Sequence, residues 1–351
     1  MNELDSFLDR HIINKSTAAA ASGGNGEVQV PTHQWFSKYK KANLSIVDSE
    51  YDEFMKLYYT TILKTGLTHN IIERQCTHKQ VESGHHLIDL DFNYAADRTT
   101  RLYTDQHILD VITFTLEQYT KIFELDEDVQ FTVAQMEKPS PRVVSKNGTT
   151  IVKDGIHLMF CVKISPYVQM YLRKELIDYI SEKWTDLPVI NTWEDVVDKA
   201  ICDGTNGWLL PQSKKEDEPS HYTITKAYRA YYESDSSCFE KSVLVSSAAD
   251  LKGFYNQYYK QIFIRNPNTL ALELLTDYGS DIVNQYKTKK SSSNNVPSTP
   301  VIQSNFGFGG DDSWQYSLAV FRQIRSKEDA EQMLENFLDN LPSDKHVLRT
   351  C

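Results

Sequence analysis

Asp89 and Asp91 stand one residue apart in the segment His86-Leu87-Ile88-Asp89-Leu90-Asp91-Phe92. In an extended strand successive side chains point to opposite faces. Leu87, Asp89, Asp91 and Asn93 therefore share one side, and Ile88, Leu90 and Phe92 share the other. Carboxylates held side by side repel each other, and a divalent cation between them relieves the repulsion. Oxygen donors of this kind suit Mg2+ or Mn2+. The apolar partners root the strand in an interior. Asp-x-Asp also arises by chance, so the reading leans on segments further along the chain.

The second segment is Lys153-Asp154-Gly155-Ile156-His157-Leu158-Met159-Phe160. Alternation puts Gly155, His157 and Met159 on one face. Gly155 has no side chain, so a ligand or another backbone can approach it closely. His157 can donate to a phosphate oxygen; the plainer alternative is a core histidine hydrogen-bonded inside the sheet. The third segment is Trp193-Glu194-Asp195-Val196-Val197-Asp198-Lys199-Ala200-Ile201. Asp198 follows two valines, as an acid at the end of a buried strand does, and a third carboxylate would complete a site for a pair of divalent ions. After it come Asn206-Gly207-Trp208-Leu209-Leu210 and Ser213-Lys214-Lys215. Lys214 and Lys215 can neutralise a triphosphate, although Lys215 also reads as part of a solvated turn. Lys138, Arg142, Lys146 and Lys153 lie together before the His157 strand and are candidates for nucleic-acid phosphate contacts; a solvated hairpin is the alternative. The aromatic-rich stretch Tyr228 to Tyr232 could stack bases or pack in the core.

These residues need elements to hold them. Apolar spacing predicts a helix from Tyr51 and another over Thr104 to Phe123, capped by Thr104. Val129 to Met136 and Gly155 to Val162 read as strands, Pro166 to Trp184 as a helix, and Leu209 to Lys215 and His221 to Ile224 as short strands. Residues 1–14 contain a possible short helix, and 16–26 are a small-residue linker. The expected organisation is a flexible segment over 1–30, a catalytic domain over 31–286, a linker over 287–300 and the start of a further region over 301–351. That region would hold an amphipathic helix from Ser326 to Leu341, with more protein expected beyond Cys351.

The composition is that of an ordinary globular protein, 40% hydrophobic and 24% charged over 351 residues. A formal net charge of -11 argues against bulk-charge coating of nucleic acid but leaves room for a local basic groove. The five cysteines are scattered and form no Cys-x-x-Cys pair, which suits free thiols in a reducing, intracellular compartment. No apolar run is long enough for a membrane span, and the acidic N-terminus is no secretory signal. No Gly-x-x-x-x-Gly-Lys-Ser/Thr loop occurs, so a P-loop ATPase is not expected.

The order Asp-x-Asp, Gly-x-His, hydrophobic-Asp, Asn-x-x-Leu and Ser-Lys resembles the archaeo-eukaryotic primase superfamily. It is most similar to the primase portion of the primase-helicases of poxviruses and giant DNA viruses. Arg101-Leu102-Tyr103-Thr104 and Asn206-Gly207-Trp208-Leu209-Leu210-Pro211-Gln212-Ser213-Lys214-Lys215 fit that group as well. The resemblance runs from Asp89 to Ile264. It implies an α/β (α+β) fold: an RRM-like catalytic subdomain with a mixed or antiparallel sheet beside an N-terminal α/β unit. It further implies a nucleotidyltransferase, a DNA primase or primase-polymerase, that uses Mg2+ or Mn2+, NTP or dNTP and a single-stranded DNA template. A helicase module is implied outside this chain. Asp89, Asp91 and Asp198 match the metal-binding catalytic acids. His157, Gly155, Ser213 and Lys214 match nucleotide-binding positions. Many members carry Ser-x-His where this chain has Gly155, so a side-chain hydroxyl is missing there. The alternatives are a two-metal nuclease or phosphohydrolase, or a non-catalytic nucleic-acid-binding module of a replication complex.

Overall fold

Long strands with apolar residues on both faces build the centre of this molecule, seen in a computed structural model that describes residues 2–13, 30–37, 40–75, 83–146, 148–204, 206–215, 218–275, 279 and 281–286. All of them belong to the first of two units into which the chain divides, residues 1–295. The expected linker over 287–300 and the region over 301–351 lie outside the described residues.

The strands are β1 (His33–Ser37), β2 (Lys40–Leu44), β3 (Ile71–Arg74), β4 (Gly84–Ala95), β5 (Phe123–Glu124) and β6 (Gln130–Glu137). They continue with β7 (Arg142–Lys146), β8 (Thr149–Ile164), β9 (Gly207–Leu209), β10 (Thr223–Glu233), β11 (Cys238–Val245) and β12 (Glu273–Leu274). The α-helices are α1 (Glu3–Arg10), α2 (Asp48–Tyr58), α3 (Asp105–Ile122), α4 (Pro166–Lys183), α5 (Trp193–Val196), α6 (Lys199–Cys202) and α7 (Ala248–Tyr258). The large sheet runs β11-β10-β6-β8-β4, with β7 also paired to β8. A smaller sheet runs β2-β1-β3-β9, and β12 pairs with β5. Every ladder between these strands is antiparallel, so the sheet expected as mixed or antiparallel is antiparallel.

The two faces of the large sheet bury different cores. Ile88, Leu90, Phe92 and Tyr94 of β4 and Ile156, Leu158, Phe160 and Val162 of β8 pack with residues of α3 and α4. Leu87 and Met159 face the other way, with Ala134, Met136 and Ile224, toward α1, α2, α7 and the small sheet. Full burial of side chains of this size contributes about 1.5–3 kcal/mol each. The helices start where their sequences cap them. Thr104 Oγ accepts from the His107 amide at α3. Ser165 caps α4, whose first residue is Pro166, a favoured opening position.

Two expectations are corrected. Part of the segment drawn as flexible over 1–30 is folded, as the short helix expected within residues 1–14: α1 buries Leu4, Phe7 and Leu8 in the second core because its apolar residues line one face. The Val196-Val197 pair does not form a strand. Thr192 caps the short helix α5, and Val197 then makes one antiparallel bridge with Leu90.

That bridge belongs to a cover over the free edge of β4. Ile190 donates its amide to the Asn93 carbonyl at 2.9 Å. Asn191 accepts from the Asn93 amide at 3.0 Å and donates to the Asp91 carbonyl at 2.9 Å. The Asp198 amide donates to the Asp89 carbonyl at 2.9 Å. Arg173 on α4 holds this segment through the carbonyls of Val197 and Glu194, at 2.9 and 2.6 Å.

Candidate active site

The β4–β8 register sets Asp89 opposite His157 and Asp91 opposite Gly155. All four point to the face away from α3 and α4 and line a cavity of about 50 Å³. His157 Nε2 lies 3.5 Å from Asp89 Oδ1. That oxygen is buried and, among the described residues, has no hydrogen-bond partner; neither has His157 Nδ1. The Asp89 side chain is 14% exposed. Burial, then the charges of Asp91 and Asp198, push its carboxyl well above the usual carboxylate range. His157 shifts the other way: burial, then Lys215 and Lys138, hold the imidazole well below its ordinary value, so it is neutral.

Gly155 earns its place through a close approach. A Cβ there would lie 3.2 Å from Asp91 Oδ1, 3.2 Å from the Leu90 carbonyl oxygen and 3.3 Å from the Tyr222 hydroxyl. What approaches the glycine is thus a carboxylate and a phenol of this same chain.

Cations and paired acids ring the cavity, whose lining includes Lys138, Arg142, Lys153, Lys215, Asp154, Glu218 and Tyr222. Glu218 is buried between Lys138, with which it makes a short ion pair, and Arg142 at 3.1 Å. Burial opposes its charge, but the Lys138 hydrogen bond and the charges of Lys138, Arg142 and Lys215 outweigh this and hold its carboxyl low. Behind the cavity, Arg101 grips Asp154 through two nitrogens, each at 3.0 Å, and reaches Glu137 at 2.7 Å and the Lys138 carbonyl at 2.8 Å. One guanidinium so joins β6, β8 and the turn between β6 and β7. Tyr222 stacks on His157 with ring centres 3.8 Å apart, and Trp208 lies 4.5 Å from the same imidazole.

The structure brings together Asp89, Asp91, Gly155, His157, Lys138, Arg142 and Lys153. Lys138 and Arg142, expected on a nucleic-acid surface, are in the acid cavity itself. The side chain of Lys146, at the end of β7, is outside the described residues. Asp198 comes next to Asp89 through its backbone, but its carboxylate turns to cap α6: Oδ1 accepts from the Ala200 amide at 2.8 Å and Oδ2 from Asn206 at 3.3 Å. Ser213 does not line the cavity. It is fully buried, and its hydroxyl oxygen bonds Tyr58 at 3.0 Å and the Ile71 amide at 3.2 Å. Lys214 is not among the lining residues; its amide pairs with the His69 carbonyl. Lys215, read as a solvated turn residue, lines the cavity instead. The cause is the neck of the 213–222 loop. Gln212, at a φ of 69°, and Ser213 bond Tyr222 through their backbones, and that closure turns Lys215, Glu218 and Tyr222 inward. Tyr228 and Tyr232 take the packing alternative, Tyr228 within the first core and Tyr232 against it.

A larger cavity of about 260 Å³ lies elsewhere, beside His85, Lys163, Gln169 and Arg265. The smaller one holds the convergent chemistry. The donor set there fits a hard divalent cation: paired carboxylates, one with an orphaned buried oxygen. Among the described residues no group of three or more His, Cys, Asp or Glu stands ready as a complete metal cage, since Asp198 is engaged in its cap.

An antiparallel sheet thus carries an Asp-x-Asp strand against a Gly-x-His strand, walled by cations. Residues 32–228, more than half of the chain, match the family described as the C962R protein N-terminal AEP domain, AEP denoting archaeo-eukaryotic primase. The chain belongs to that family. The match begins well before Asp89, so it takes in the small sheet. A search of curated proteins found no match. No helix among the described residues is long and apolar enough to cross a membrane.

Proposed function

We propose that this chain is a DNA primase or primase-polymerase that builds primers on single-stranded DNA by metal-assisted nucleotidyl transfer. The observation that carries the reading is the Asp89–Asp91 pair, with one orphaned Asp89 oxygen, sharing one cavity with a neutral His157 and the cations Lys138, Arg142, Lys153 and Lys215. Asp89 and Asp91 would hold Mg2+ or Mn2+, with Asp198 as a third ligand once its carboxylate leaves the α6 cap. When bound, such ions lower the pKa of an attacking 3′-hydroxyl and stabilise the departing pyrophosphate. The chain's own residues do the rest. The cations offset charge that spreads over the phosphates. His157, kept neutral, donates a hydrogen bond without adding charge. Lys215, rather than Lys214, serves the triphosphate.

The substrates follow from that chemistry: an NTP or dNTP, and a template strand laid beside the cavity. A helicase module is a further proposed partner. The free thiols of Cys161, Cys202 and Cys238 support an intracellular setting.

Primer synthesis on single-stranded templates with Mg2+ or Mn2+ tests this. Wild-type protein is expected to lengthen product, and Asp89→Ala plus Asp91→Ala to abolish synthesis while leaving the fold intact. Activity that survives the double substitution, or a metal-dependent product that is shorter than the substrate strand, overturns the proposal.

A further inference from the structure

The hydroxyl of Tyr222 is a side-chain donor that this cavity holds in reserve. Tyr222 is 5% exposed. Among the described residues its hydroxyl has no hydrogen-bond partner, although the side chain lines the cavity. The hydroxyl and Asp91 Oδ1 lie within 3.3 Å of one point, the position a Cβ of Gly155 would take. The ring is not free to wander. It stacks on His157 at 3.8 Å and 20° between planes, and the Lys138 ammonium lies 4.9 Å from its centre. Its backbone closes the loop that carries Lys215 and Glu218.

We infer that Tyr222 is a nucleotide-binding residue, its phenol donating a hydrogen bond to a phosphate oxygen of the bound nucleoside triphosphate beside the Asp91 carboxylate. This deepens the proposed function and rests on it. A phenol is a hydrogen-bond donor at neutral pH, since it ionises ordinarily only at about 10. A bare glycine opposite Asp91 leaves the space that the hydroxyl fills. Tyr222 and His157 form a stacked pair of uncharged donors, and the surrounding lysines supply the charge.

The test uses the full chain with Mn2+ and a fluorescent nucleoside triphosphate, read first as affinity and then as KM and kcat in primer synthesis. Tyr222→Phe keeps the ring stack. It is expected to leave the melting temperature unchanged and to weaken triphosphate affinity about tenfold or more, the usual scale for a lost hydrogen bond to a charged group. KM should rise by the same factor, with a smaller change in kcat. Adding Gly155→Ser to Tyr222→Phe returns a hydroxyl to the same space and should recover part of the affinity. Gly155→Ser alone, which crowds the phenol, should not improve on wild type. If the wild-type protein binds and extends nucleotides but Tyr222→Phe is indistinguishable from it, this inference fails and the functional reading stands. If the wild-type protein binds no triphosphate with metal, both fail.

Discussion

Asp89 is a residue held against its own preference. Its carboxyl is mostly buried, faces Asp91, and leaves one oxygen without a partner among the described residues. A folded-state value raised above the ordinary 3.8 means that the stability tied to its proton is present below 3.8 and lost as pH rises through the folded-state value. Asp89→Asn removes that cost. Without metal, the variant is expected to melt at or above the wild-type temperature at pH 7, and the difference should grow with pH. With Mn2+ the order should reverse, because only the wild type gains metal-linked stability. Thermal unfolding in chelator and in MnCl2 checks both. A variant that melts lower in chelator and still shifts with Mn2+ would contradict the assignment.

At the scale of elements, the cavity depends on how a hairpin and a loop are tied down. The Arg101 guanidinium joins Asp154 on β8 to Glu137 on β6 and to the turn after it. Removing the cation strands two buried acids, a loss of about 3–5 kcal/mol. Arg101→Met should cost about that much in urea unfolding, whereas Lys174→Met, in an exposed ion pair on α4, should change little. Equal effects would show that Arg101 is no tie. The acid strand itself was legible in the sequence, because alternation fixes which side Asp89, Asp91 and His157 share. Ser213 and Lys215 were not. Their directions come from a loop neck closed between Gln212, Ser213 and Tyr222, and no periodicity encodes that. Two valines before Asp198 imitate a strand; only the Thr192 cap, four residues earlier, signals the helical turn. Arg101 and Tyr222 stood in plain view, but their roles appear only when distant acids converge.

Over the whole molecule, neutral buried histidines make stability sensitive to acid. Burial depresses His85 and His86 to about 3 and His157 well below 6.5. Each contributes fully above its unfolded value near 6.5, and the contribution is lost as pH falls toward the folded value. Between pH 7 and pH 5 the loss is about 2 kcal/mol each for His85 and His86. The midpoint of urea unfolding in chelator is therefore expected to fall clearly over that interval. An unchanged midpoint would mean that these imidazoles are protonated in the folded state.

The strand that carries Asp89 and Asp91 is also the last in its sheet among the described residues. An open rim of this kind recruits strands from other molecules. Here residues 190–198 occupy it, with Asn191 serving the backbone on both sides of Phe92. The same segment sets the Asp198 backbone against Asp89. Colloidal solubility and the position of Asp198 thus depend on one segment, and a chain that loosened this cover would also expose itself to self-association.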